Sequence, residues 1–298
     1  MNLEAAVITE TTEAAASQVL PPDYPFNLSD FALFLSVMKN KTAYESTLSI
    51  ILDEPDLKLA EVEVEQVVLN KSGKRAIRLD AWARDTQGRR INTEMQNETS
   101  ADDVRRRARF YQGMLDTPLL KAGKETRYKH LPSTVIIFIT QEDIFGRDLA
   151  KYTFTEQCEE AADLPLEDGT KKIFLNMTSK NGRPELISLL QYMKNTTLEN
   201  PEITVRDKRL DTLDEIVKEV KQSEEWEAVK MNILEIGIEK GRQEGLKQGI
   251  RAMIQDNLEE GVEESRICVK LQKNFSLTRE AAEKELRSFI EEKAKKQD

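Results

Sequence analysis

The chain has 298 residues, 39% apolar and 33% charged, with 44 Lys/Arg against 54 Asp/Glu and a net charge of −10. One histidine, His130, excludes any site needing two histidine ligands, and two isolated cysteines, Cys158 and Cys268, exclude a disulfide framework and argue against structural zinc. No apolar run nears the roughly 18 residues of a membrane span, and the start, MNLEAAVITETTEAAAS, carries no basic-then-apolar signal, so the expectation is a cytoplasmic protein; with histidine and cysteine so scarce, any hydrolytic chemistry would rest on carboxylates and a hard metal ion.

The charge is unevenly spread. Residues 71–130 carry 15 Lys/Arg and 8 Asp/Glu, a net of +7, which leaves −17 for the remainder. A basic centre between acidic flanks suits local binding of a polyanion; uneven surface charge is the plain alternative.

Residues 1–25 are rich in Ala, Glu and Thr and end in Pro21-Pro22-Asp23-Tyr24-Pro25, the composition of a mobile leader. Ser29 or Asp30 can cap a helix at Phe31–Met38, and a second helical run, Tyr44 to Leu52, stops before Pro55. Over 58–69 the pattern shortens to a β-branched strand, followed by a turn at Asn70–Gly73. Ile77–Arg84 and Arg90–Asn97 alternate around Asp85-Thr-Gln-Gly-Arg89 and read as a β-hairpin.

Ser100-Ala-Asp-Asp103 opens a helix with a capping-box pattern, in which Val104, Ala108, Tyr111 and Leu115 recur at helical spacing until Pro118. Val135–Ile139 is a continuous apolar run of the kind found in a fully buried strand. Residues 145–200 read as shorter α+β elements with a helix at 184–194. From about 206 to 258 there is no proline and charge is dense, which predicts one long helical arm. Gly237, Gly241, Gly245 and Gly249 stand on one face of it, where a close-packed partner helix or a bend would account for them; helices over about 261–273 and 279–294 follow, the second capped by Thr278.

A hairpin loop centred on Gln87 opposes Leu79 to Met95, Ala81 to Thr93 and Ala83 to Ile91 on a small, apolar face. The other face then opposes Arg78 to Gln96, Asp80 to Glu94, Trp82 to Asn92 and Arg84 to Arg90. Asp80 and Glu94 would have β-carbons about 5 Å apart. Two ionised carboxylates that close repel, so one takes a proton or a cation sits between them. Oxygen donors without histidine or thiolate suit Mg²⁺ or Mn²⁺. Taken alone, acids on a polar sheet face are more often simply solvated.

The order helix–strand–strand–strand–helix–strand, with Asp80 and Glu94-Met95-Gln96 on adjacent strands, resembles the PD-(D/E)XK nuclease fold with a Glu-X-Gln variant of its last motif. Arg78–Asp85, Gly88–Gln96, Arg107–Gln112, Tyr128–Ile139, Tyr152–Phe154 and Ile173–Asn176 are similar to the Rpn family of recombination-promoting nucleases and transposases, over roughly 30–195. The implied fold class is α/β: a restriction-endonuclease-like αβββαβ core with a mixed sheet, followed by an α-helical C-terminal arm. The domains read as a leader over 1–25, the nuclease-like domain over 26–200 and the arm over 201–298, which is expected to form homo-oligomers.

The resemblance implies Mg²⁺-dependent endonucleolytic cleavage of DNA, linked to recombination or mobile elements. Asp80, Glu94 and the Met95 carbonyl would hold the metal, with Glu45 on the early helix as a further candidate ligand or a plain surface glutamate. Gln96 matches a position that is often lysine in the wider fold; glutamine can orient water but brings no charge. Arg107 and Arg109 are expected to grip the DNA backbone near the scissile phosphate, supported by Tyr111, with pairing to Asp102 and Asp103 as the alternative. Gln96 also keeps open a second reading: a catalytically weak or inactive nuclease fold that serves as a DNA-binding or helical interaction module.

Overall fold

The computed structural model describes residues 21, 23–68, 77–97, 99, 103–117 and 127–295. Most of the expected leader, the turn at 70–73, Ser100 and Pro118 lie outside these residues. The chain divides into one compact unit, Pro25–Val229, and a second built on Lys230–Asp298.

The first unit opens with two helices, α1 (Phe31–Met38) and α2 (Lys41–Leu52). Asp30 precedes α1 without capping it: its carboxylate instead accepts the Asn27 N–H at 2.6 Å. Asn40 caps α2 by accepting the Thr42 and Ala43 N–H groups, the preferred role of a short polar side chain at that point. Both helices are apolar enough to bury most of their length.

Among the described residues six strands follow: β1 (Leu59–Val68), β2 (Ile77–Asp85), β3 (Arg90–Gln96), β4 (Thr134–Thr140), β5 (Lys151–Phe154) and β6 (Thr170–Asn176). They form one mixed sheet in the order β1-β2-β3-β4-β6-β5. β1, β2 and β3 are an antiparallel meander; β3, β4 and β6 run parallel; β5 closes the edge antiparallel to β6. The hairpin register pairs Ala81 with Thr93, Trp82 with Asn92, Ala83 with Ile91 and Arg84 with Arg90, as the alternation requires. β4 is buried at every residue, as its unbroken apolar run requires.

Helix α3 (Val104–Asp116) packs on β4 through Val104, Ala108, Tyr111 and Leu115. Its cap is Asp103, whose carboxylate accepts the Arg105 and Arg106 N–H groups at 3.1 Å. Helix α4 (Pro184–Lys194) and helix α5 (Lys208–Lys221) complete the unit.

The expected single arm from 206 onward is broken. α5 ends at Lys221, and α6 (Glu224–Glu259) begins where the Ser223 hydroxyl accepts the Trp226 N–H at 3.1 Å. α5 is not arm at all. Leu210, Leu213 and Val217 are buried, the helix packs on α2, and Tyr192 of α4 donates to Asp214 at 2.8 Å. The first unit therefore reaches Val229, past the boundary near 200 that the Pro201 composition shift suggests.

In the second unit, α6 remains one helix through all four spaced glycines. Its last turns pack Ile250 and Ile254 against α7 (Glu264–Phe275) and α8 (Arg279–Lys295) through Ile267, Leu271, Leu286 and Phe289. Thr278 caps α8 by accepting the Ala281 N–H at 3.2 Å. Two of the four differ in their surroundings: a Cβ at Gly249 would lie 3.3 Å from the Phe275 ring, whereas one at Gly245 would meet nothing within 4 Å. Among the described residues no helix is long and apolar enough to cross a membrane.

Candidate nuclease site

The antiparallel ladder between β2 and β3 has its last paired residues at Ala81 and Thr93. Beyond that point the strands are joined by side chains. The Asp80 N–H donates to Glu94 Oε1 at 3.1 Å, and the Met95 N–H donates to Asp80 Oδ2 at 3.0 Å. Each acid thus takes up a backbone donor of the opposite strand.

Tyr44 of α2 anchors this junction from the small, apolar face. Its hydroxyl donates to the Ala81 carbonyl at 2.8 Å and accepts from the Thr93 hydroxyl at 2.9 Å. It is fully buried, and burial pushes its phenol far above the ordinary tyrosine value, so it stays protonated as a donor.

The polar face is not solvated. Helix α3 covers it, leaving Asp80 6% exposed and Asn92 and Glu94 fully buried. Burial raises the Glu94 carboxyl above its usual value; Arg107, the Asn92 amide, the Asp80 N–H and Tyr111 act in the opposite direction. Asn92 Nδ2 donates to Glu94 Oε1 at 2.8 Å.

Arg107 reaches in from α3. Nη2 donates to Glu94 Oε2 at 3.1 Å, Nη1 to Gln96 Oε1 at 2.6 Å and Nε to the Tyr111 hydroxyl at 3.1 Å. The guanidinium lies 5.2 Å from the Tyr111 ring centre and 5.6 Å from that of Phe138. Two acids this close require a proton or a cation between them. The structure supplies a side-chain cation at Glu94 from the next helix.

Asp80, Glu94, Met95, Gln96, Arg107 and Tyr111 are therefore brought together. Two candidates are not. Glu45 accepts the Leu59 N–H at 2.8 Å and pairs with Lys58. Leu59 partners Asp85 at the far end of β2, five residues and about 16 Å of strand from Asp80. Glu45 is thus bonded at the start of β1 and makes no hydrogen bond to Asp80 or Glu94 among the described contacts. Arg109 is two residues from Arg107 on the helix and faces outward, exposed. Arg105 and Arg106 are exposed too and pair with Asp103. His130 is exposed in a short 3₁₀ turn.

Sequence reasoning left Tyr44 and Asn92 unassigned. Asn92 carried a signal, two residues before Glu94 on the same strand face. Tyr44 carried none, since its role depends on where α2 packs.

The donor set fits a hard divalent cation: two carboxylates, a backbone carbonyl and an amide oxygen, with no histidine or cysteine among the residues gathered. The buried Asn92 Oδ1, which has no hydrogen-bond partner, adds an unused oxygen beside Glu94. Among the described residues no group of three or more His, Cys, Asp and Glu side chains could hold a metal ion. Asp80 and Glu94 would have to be completed by carbonyl, water or substrate oxygens.

The model of the PD-(D/E)XK nuclease family transposase matches residues 25–243, most of the chain. No curated protein and no solved structure gave a match.

Proposed function

The chain belongs to the PD-(D/E)XK nuclease family transposases, and from that premise we propose that it is a metal-dependent DNA endonuclease acting in recombination or the movement of mobile elements. Its nuclease-like character follows from the family. The observation that carries the finer reading is the crosswise bonding of Asp80 and Glu94, which holds two buried acids together with Arg107 and Gln96.

PD-(D/E)XK nucleases typically use divalent metals. Asp80, Glu94 and the Met95 carbonyl would hold Mg²⁺ or Mn²⁺, which supplies Lewis acidity toward phosphate and a lowered pKa for bound water. The chain's own groups do the rest. Gln96 orients the attacking water through its amide. Arg107 and Arg109 bind non-bridging phosphate oxygens, Arg107 from inside the site and Arg109 from the exposed side of α3. Tyr111 positions Arg107. Water adds to phosphorus and gives up a proton to solvent, the P–O bond to the leaving nucleotide breaks, and the leaving oxygen takes up a proton from solvent. The two cysteines, unbridged in the structure, suit a reducing cytoplasm. The C-terminal helices are our candidate for self-association.

A second reading is favoured by one observation. Gln96 brings no charge to a position where lysine would, and its oxygen is bonded to Arg107. A weak or inactive nuclease fold that binds DNA follows if Arg107 cannot supply that charge. Calorimetric titration with Mn²⁺ in the presence of a duplex that resists hydrolysis separates the two: the nuclease reading expects binding to the protein that is lost in both Asp80→Ala and Glu94→Ala, and the second reading expects none.

A further inference from the structure

We propose that Arg107 gates metal loading: its guanidinium is bonded to the Glu94 oxygen that a cation would use, the two compete for that oxygen, and a DNA phosphate draws the arginine away. The inference rests on the nuclease reading above and concerns how that same site is regulated.

Glu94 has two oxygens, and both are engaged. Oε1 accepts from Asn92 Nδ2 and from the Asp80 N–H. Both donors are neutral and belong to the strands that build the site, so they orient the carboxylate without competing with a cation by charge. Oε2 accepts from Arg107 Nη2 at 3.1 Å. That donor is a full positive charge on a long side chain. A divalent ion at Glu94 would meet like charge at short range, within a fully buried carboxylate's surroundings where screening is weak.

The guanidinium is built to shift rather than to stay. Its side chain is 26% exposed, so a path to solvent exists, whereas Glu94 has none. The guanidinium is a rigid planar fork, so the swing that takes its Nη groups off Glu94 also breaks the Nε bond to the Tyr111 hydroxyl. The rings of Tyr111 and Phe138 give it an aromatic surface over which the charge remains stabilised as it moves. A phosphodiester offers two anionic oxygens that match the planar fork, a better partner than one carboxylate oxygen and one amide oxygen.

The same residue then links two ligands. When phosphate takes Arg107, Glu94 Oε2 is released to the cation, and the local charge that repelled it is neutralised. Linkage makes the effect reciprocal: DNA tightens metal binding by the same factor by which metal tightens DNA binding.

The test uses the full chain, Mn²⁺ binding followed by electron paramagnetic resonance, and a phosphorothioate duplex that resists hydrolysis. Wild type, Arg107→Met and Arg107→Lys are compared, each checked for folding by circular dichroism. Without DNA, Arg107→Met should bind Mn²⁺ about tenfold more tightly than wild type, and Arg107→Lys, which keeps the charge, should stay near wild type. Adding the duplex should tighten Mn²⁺ binding strongly in wild type and much less in Arg107→Met. If Arg107→Met does not fold, Tyr111→Phe, which frees the arginine stem, should give a smaller tightening in the same direction. Equal or weaker Mn²⁺ binding by folded Arg107→Met, or equal tightening in Arg107→Lys, overturns the gate. Binding of metal and duplex without any Arg107 dependence overturns the gate alone. No Mn²⁺ binding by any of these proteins, with or without duplex, overturns it together with the nuclease reading.

Discussion

The backbone N–H of Asp80 donates to the carboxylate of Glu94 at 3.1 Å, so the two acids meet through strand backbone. The reciprocal bond from the Met95 N–H to Asp80 makes the contact two-sided. The end of the β2–β3 ladder is thereby turned into a site, and the distance between the acids is set by strand geometry.

Tyr44 holds that geometry from the opposite face. Tyr44→Phe removes one hydrogen bond from the buried Ala81 carbonyl and one from the buried Thr93 hydroxyl. The expected cost is about 1–3 kcal/mol of stability, read as a lower urea midpoint with an unchanged slope. An unchanged midpoint would show that the hydroxyl contributes nothing.

Glu94 has a carboxyl raised above its ordinary value by burial. In the unfolded chain it ionises near its ordinary pKa, about 4.3. Between that pH and the raised folded value the folded state holds the extra proton. The group's contribution is therefore greatest at low pH and declines as pH rises through this window. The stability difference between Glu94→Gln and wild type should move in favour of Glu94→Gln over the same window in metal-free buffer. Denaturation series at several pH values read this directly; parallel stability curves would contradict it.

Arg109 is exposed on α3 and should act on DNA alone. Arg109→Ala is expected to leave stability unchanged and to reduce the slope of log affinity against log salt by roughly one. Fluorescence anisotropy with a short duplex at several salt concentrations measures the slope. No change in slope removes Arg109 from the DNA contact.

Leu213 is fully buried between α5 and the core. Leu213→Ala should cost about 2–5 kcal/mol, as for a core residue, whereas a residue of a detached arm would tolerate it. Thermal unfolding decides between them.

Much of this architecture is legible in the residues. Strict alternation through Ile77–Arg84 and Arg90–Gln96 admits one hairpin register, and that register alone puts Asp80 beside Glu94. Val135–Ile139 declares a buried strand by having no polar side. What sequence does not carry is which helix covers which face. The reach of Arg107 into the site, the diversion of Glu45 to Leu59 and the anchoring by Tyr44 all depend on packing between elements distant in sequence. The α5–α6 break is a near miss of another kind: Ser223 is a good helix cap, but a dense charged run without proline hides it.

The most direct measurement is cleavage of supercoiled plasmid by the purified protein in Mg²⁺, Mn²⁺ or chelator, beside folded Asp80→Ala and Glu94→Ala proteins. The account predicts nicking or linearisation that requires the metal and is lost in both variants. Cleavage that survives in both, or absence of cleavage with metal and DNA both bound, would contradict it.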